Sequence, residues 1–189
     1  VRQGRLPAAP HPPQVVEVPD TLKALQALAA WHRSRFDIPV AAIAGSNGKT
    51  TTKQMLRAIC ELRGPVCATE GNLNNEVGVP LTLFGLQPRH VAGILELGMN
   101  HAGELARLTA IAEPDAGMIT VVQRAHLEGL GSIEGVAAAK GELFAGLKPG
   151  ATAVVNVDDP RVAEQARRLG SGVQRLDFGR AEGAAVRLA

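Results

Sequence analysis

The sequence predicts an α/β fold: a mostly parallel sheet with helices on both faces. Two observations carry this. Short apolar runs alternate with amphipathic helical patterns from Val40 to Phe178, and that alternation builds βαβ units whose crossovers cover the sheet. Gly45, Glu96 and Asn156 each fall at or just past the end of an apolar run. They are therefore expected to converge on the carboxyl edge of the sheet, where open α/β folds bind ligands.

The elements follow in order. The opening "VRQGRLPAAPHPPQ" is rich in Pro and Arg and reads as loop. It has neither an initiator Met nor an apolar core, so an internal start is expected rather than a signal peptide. "DTLKALQALAAWHRSRF" reads as a helix capped by Asp20 or Thr21, with Leu22, Leu25, Leu28, Ala29 and His32 on one face. "VAAIA" is a buried-strand run ended by Gly45. Residues 49–63 read as a helix with Met55, Leu56, Ile59 and Leu62 inward, closed by Gly64-Pro65. "VAGILELG" is the second strand, and "AGELARLTAIA" a helix stopped at Glu113-Pro114. "AGMITVV" is the third strand. "SIEGVAAAKGELFAGL" is a helix from Ser132 with Glu134 and Glu142 on its polar side. "ATAVVNV", the helix "DPRVAEQARRLG" with Asp159 as cap and Pro160 at its first position, and "VQRLDFG" complete the pattern. At least five strands are expected.

Bulk composition excludes several classes. The 189 residues are 46% hydrophobic and 20% charged with a net charge of +2, ordinary for a globular α/β domain. That charge is too mild for a nucleic-acid binder. One Trp, four Phe and no Tyr give little material for stacking on bases. No segment approaches the roughly 20 apolar residues of a membrane span. Cys60 and Cys67 are the only cysteines, too few for a disulfide framework, so reduced thiols are expected.

"IAGSNGKTTTK" carries the chemistry. Its first glycine is missing from the usual G-x-x-x-x-G-K-[ST] pattern, because Ile43 stands there. The context is nevertheless strand, glycine turn, helix, which is what a phosphate loop needs. Gly45 and Gly48 let the backbone turn tightly and aim N–H groups at phosphate oxygens. The helix that follows points its N-terminus at the anion. Lys49 supplies positive charge to the β- and γ-phosphates, and the Thr50 hydroxyl can hold Mg²⁺.

The motifs resemble those of the Mur ligases, which build the peptide of bacterial peptidoglycan. GSNGKTT looks like their ATP loop. "TEGNLNNEVGVPLTL", "ELGMNHAGEL", "AHLEGLGSIEGVAAAKGELF" and "NVDDP" resemble the branch that adds D-Ala-D-Ala to a UDP-muramoyl tripeptide. The resemblance covers residues from about 20 to 170 in order. It implies ATP contacts from Gly45, Ser46, Asn47, Gly48, Lys49, Thr50, Thr51 and Asn156, the last through an amide that can read the adenine edge. It implies Mg²⁺ ligands in Thr50 and Glu96, with His126 at a second metal and Glu128 as its possible substitute. Lys140, in "AKGEL", is implied as a carbamate that turns a cation into an oxygen ligand, which requires a neutral buried amine. The rival reading for Lys140 is an ordinary helix-face lysine. Lys49, Glu96, His126 and Lys140 form the implied catalytic set. Asn72, Asn74, Asn75, Asn100 and His101 are implied at the muramoyl-peptide substrate, although Asn and Gly also suit plain turns.

The implied reaction uses ATP to make an acyl phosphate, which the amine of D-Ala-D-Ala then opens. The implied organisation is an N-terminal substrate domain ending within residues 1–38, an incomplete central ATP-binding domain over 39–189, and a missing C-terminal domain. A cytoplasmic bacterial monomer is expected, inactive as a fragment. Two alternatives stay open: a related amide ligase of folylpolyglutamate or cyanophycin type, and a non-catalytic ATP-binding module.

Overall fold

The computed structural model describes residues 16–123 and 130–187. Seven parallel strands form one sheet in the order β2-β3-β1-β4-β5-β6-β7. They are β1 (Val40–Ala44), β2 (Val66–Ala68), β3 (Ala92–Glu96), β4 (Ala116–Ile119), β5 (Thr152–Asn156), β6 (Gln174–Gly179) and β7 (Val186–Arg187). Helices α1 (Thr21–Arg33), α2 (Lys49–Glu61), α3 (Gly78–Phe84), α4 (Glu104–Ala112), α5 (Ile133–Ala145) and α6 (Pro160–Gln165) fill the connections, with a 3₁₀ turn at Ala166–Arg168. The five runs read as strands all form strands. Three elements escaped the sequence reading: the short β2 and β7, and α3 within the Asn-rich stretch.

The helices are divided unequally. α1, α3, α4, α5 and α6 pack on one another as one layer, while α2 lies on β1, β2 and β3. Strand alternation shows that these are opposite faces. Val40, Ala42, Ala44, Leu95, Ile119, Ala153 and Val155 join the main core with Leu105, Leu108, Val136, Leu143 and Phe144. Glu96, Ile43, Met118, Val154 and Leu176 stand in register on the other face. That row is buried under α2 at Ile43 and opens to 38% exposure at Leu176.

Two inward faces read from periodicity need correcting. On α2, Met55, Ile59 and Leu62 are exposed at 64%, 63% and 86%, and the buried side chain is Lys53. The cause is the loop before the helix. Lys49 and Thr50 must face the carboxyl edge, and this fixes the rotation of the whole helix, whatever its apolar pattern. On α1, Leu28 is exposed, while Gln26, Ala29 and Arg33 are buried. Arg33 sits inward because its guanidinium satisfies carbonyls at a junction. Nε donates to Ala112 O at 3.1 Å and Nη1 to Phe36 O at 2.7 Å, and Nη2 lies 3.5 Å from Asp115.

Capping follows the sequence. The Asp20 carboxylate accepts from Leu22 and Lys23 N–H at the start of α1. Ser132 caps α5 and Asp159 caps α6, with Pro160 next. α4 ends at Glu113 in the left-handed region, before Pro114. Glu142 departs from its expected place on a polar face. Its carboxylate accepts from Gly103 N (2.7 Å) and Ala106 N (3.1 Å), and so caps α4 from a neighbouring helix. Both cysteines are free. Among the described residues, no helix is long and apolar enough to cross a membrane.

Candidate nucleotide-binding site

The sheet order puts β1 between β3 and β4. The chain leaves β1 toward one edge and β4 toward the other, so the loops after these strands border a crevice at a switch point. The loop after β1 is the glycine turn. Gly45 has φ 145°, and a Cβ there would collide with Thr120 Oγ1. Gly48 has φ 82° and opens α2. Gly45 is thus required by both backbone and space.

The loop is braced by residues 120–123, which follow β4. Ser46 N donates to Val121 O at 2.8 Å, Ser46 Oγ to Gln123 O at 3.1 Å, and Gln123 N to Ser46 Oγ at 2.9 Å. Asn47 Nδ2 donates to the Gln123 side chain. Thr120 Oγ1 donates to Ala44 O and Asn47 O. Ser46 and Asn47 therefore shape the loop through their side chains. Ser46 N–H is taken by Val121 O, so the backbone N–H groups of Asn47, Gly48, Lys49 and Thr50 are what can meet an anion at the start of α2. Lys49 Nζ rests on Gly45 O at 3.0 Å, and Thr51 is exposed.

Glu96 ends β3 with 4% exposure. Thr50 Oγ1 donates to its Oε2 at 3.0 Å, and Asn74 Nδ2 to its Oε1 at 3.0 Å. Thr69 Oγ1 accepts from its backbone N–H. Two hard oxygen donors 3.0 Å apart match neighbouring ligands of an octahedral Mg²⁺, whose bonds of about 2.1 Å put adjacent ligands about 3 Å apart. Thr50 and Glu96 therefore fit that ion. His126 and Glu128 lie outside the described residues.

Lys140 faces inward on the row of Val136, Leu143 and Leu147, and is 3% exposed. Burial, and next the charge of Lys49, lower its pKa from 10.5 to about 8. The surface-lysine reading does not describe this side chain.

The five residues expected at a peptide substrate divide. Asn72 is exposed, as are Asn100 and His101. His101 Nδ1 lies 3.0 Å from Glu104, which also accepts from Asn100 N. Asn74 turns inward to Glu96, and Asn75 Oδ1 accepts from Val77 and Gly78 N–H to start α3. Asn156 Nδ2 donates to Thr120 O at 2.8 Å and its Oδ1 accepts from Asp158 N, so it also ties β5 to the loop after β4. Asp158 accepts from Arg180 and Ala181 N–H and clamps the turn after β6.

Lys53, Thr120 and Glu142 were missed as site-building residues. Lys53 had a readable signal, since it stands four residues after Lys49 and shares its side of the helix. Thr120 and Glu142 act through tertiary contacts and had none.

The Mur ligase middle domain matches residues 43–189. The chain belongs to the Mur ligase family. It is 45% identical over 147 residues to the UDP-N-acetylmuramoyl-tripeptide–D-alanyl-D-alanine ligase of Escherichia coli K12, covering 78% of this chain and 32% of that protein. It is 45% identical over 155 residues to the enzyme of the same name from Synechocystis, covering 82% and 34%. The chain thus spans about a third of the length of these relatives. Among solved structures, MurF from Acinetobacter baumannii superposes with a TM-score of 0.82 at 35% identity, over 92% of this chain and 39% of that one. The MurF ligase of Thermotoga maritima in complex with ADP gives 0.81 at 30% identity, over 95% and 40%. Folylpolyglutamate synthase of Mycobacterium tuberculosis shares the fold alone, at 18% identity and a TM-score of 0.64 over 83% and 46%.

Proposed function

We propose that this Mur ligase chain is the ATP-binding part of an enzyme that joins D-alanyl-D-alanine to a UDP-N-acetylmuramoyl tripeptide in peptidoglycan synthesis. One observation carries the reading: a glycine turn with Lys49 at its end sets the Thr50 hydroxyl 3.0 Å from the buried Glu96 carboxylate. The two relatives at 45% identity that bear this activity's name favour these substrates over those of the folate enzymes.

On this reading, Gly45 and Ser46 shape the turn, the backbone N–H groups of residues 47–50 bind the ATP phosphates, and Lys49 leaves Gly45 O to reach them. Mg²⁺ would neutralise phosphate charge when bound; Thr50 and Glu96 would hold it, and His126 and Lys140 (as a carbamate) would serve a second ion. The carboxylate of the tripeptide attacks the γ-phosphorus, giving an acyl phosphate and expelling ADP. The dipeptide amine adds to that carbonyl, and the tetrahedral adduct expels phosphate, leaving an amide and releasing the amine proton. Asn72, Asn100 and His101 have exposed side chains suited to the muramoyl substrate, while Asn74 and Asn75 shape its loop. Asn156 keeps spare hydrogen-bonding capacity for adenine. ATP and a UDP-linked substrate support work in the bacterial cytoplasm. The amine-binding and lid functions belong to chain outside residues 1–189, and residues 1–38 to the junction with a substrate domain.

The test is ADP formation by the complete protein with UDP-muramoyl tripeptide, D-Ala-D-Ala and Mg²⁺. ADP appearing only when both substrates are present supports the proposal. ADP formation with folate and glutamate instead, or steady ATP binding without turnover, overturns it.

A further inference from the structure

We propose that Lys53 is a positioning residue for Glu96, and that its charge keeps Glu96 from holding a divalent cation until nucleotide phosphates are present. This rests on the nucleotide-site reading above. Lys53 is 2% exposed and its Nζ lies 3.4 Å from Glu96 Oε2. An ammonium so deeply buried persists only with a partner. Its partner is the carboxylate whose other contacts are Thr50 at Oε2 and Asn74 at Oε1. Both carboxylate oxygens are thus fixed, by α2 and by the loop after β2, and the charge is already balanced from the buried side.

The consequence is electrostatic. Lys53 is the α2 cation paired with that carboxylate, whereas the Lys49 ammonium rests on Gly45 O. A free divalent cation therefore meets a carboxylate already compensated by Lys53. The phosphates of a nucleotide reverse that balance, and Thr50 and Glu96 then complete a coordination shell begun by the phosphates. The cation enters with the nucleotide, not before it.

The experiment is Mn²⁺ binding to the complete protein, with and without ADP, for the parent, Glu96→Gln, Lys53→Met, Lys53→Arg and the double variant Lys53→Met/Glu96→Gln. In the parent, Glu96→Gln should leave the affinity for Mn²⁺ alone unchanged but weaken Mn²⁺ binding in the presence of ADP about tenfold or more. Lys53→Met should tighten Mn²⁺ binding without nucleotide by on the order of tenfold, and the double variant should cancel that gain. Lys53→Arg should behave as the parent. Weaker binding of Mn²⁺ alone by Glu96→Gln would overturn the proposal, even where Lys53→Met does not fold. So would a Lys53→Met protein with parental Mn²⁺ affinity. Failure of the parent to bind ADP at all would instead sink the nucleotide-site reading itself.

Discussion

Lys140 is where side-chain environment and chemistry meet most sharply. Its folded-state pKa of about 8 lies below the ordinary 10.5, through burial first and Lys49 second. Below pH 8 the amine is charged in both folded and unfolded chains, and the folded state bears the full cost of the buried charge. Between pH 8 and 10.5 the folded protein has released a proton that the unfolded chain retains, so stability rises with pH across that window. In bicarbonate-free buffer, thermal melts should show Lys140→Met more stable than the parent at pH 7, with the difference shrinking toward pH 10. A gap independent of pH would contradict the assigned burial. The same neutral amine can add to CO₂, forming the carbamate and releasing a proton. Activity lost in Lys140→Ala should then return in part with acetate or formate, and an unimpaired variant would exclude a carbamate role. Gly45 offers a second test at this scale. Its φ of 145° and the contact of an added Cβ with Thr120 Oγ1 should make Gly45→Ala cost about 1–3 kcal/mol of stability and weaken ATP binding. Denaturant unfolding with nucleotide titration checks both.

Individual elements show how far local rules reach. Asp20, Ser132 and Asp159 announce their helices because capping is written in adjacent residues. The strands β1 and β3 are legible because burial on both faces yields continuous apolar runs, and β4 and β5 stay apolar although one of their faces is only half-buried. α2 misled because its rotation is set by the phosphate loop, leaving Met55, Ile59 and Leu62 outward and Lys53 inward. β2 is three residues long, too short for a periodic signal. α3 begins at a glycine and carries Pro80, which lowers its apparent helix propensity. Glu142 reads as a polar-side residue of its helix because nothing local reveals that α4 needs a cap from α5. Glu142→Ala should therefore destabilise the protein by about 1 kcal/mol, as loss of a cap does, and loosen the loop carrying Asn100 and His101. Hydrogen exchange at Gly103 and Ala106 is the direct readout, and unchanged protection there would refute this tie.

At the scale of the whole molecule, a seven-stranded parallel sheet gathers the loop after β1, the end of β3 and the segment after β4 at one edge. The positions of the glycine turn and Glu96 were legible in the sequence, because strand ends of a parallel sheet fall on a common edge whatever the connections. The pairing of Lys53 with Glu96 and the brace from Thr120 were not, since they depend on which strands become neighbours. This edge, on the proposed function, is the ATP site of a ligase, and Lys49 is its mobile charge. The most direct measurement is steady-state turnover by the complete Lys49→Ala protein with ATP, UDP-muramoyl tripeptide and D-Ala-D-Ala. kcat should fall on the order of 10³-fold, the scale at which a cation acting on the transferring phosphoryl group contributes, in a variant that still unfolds cooperatively. A variant retaining near-parental kcat would contradict this role of Lys49.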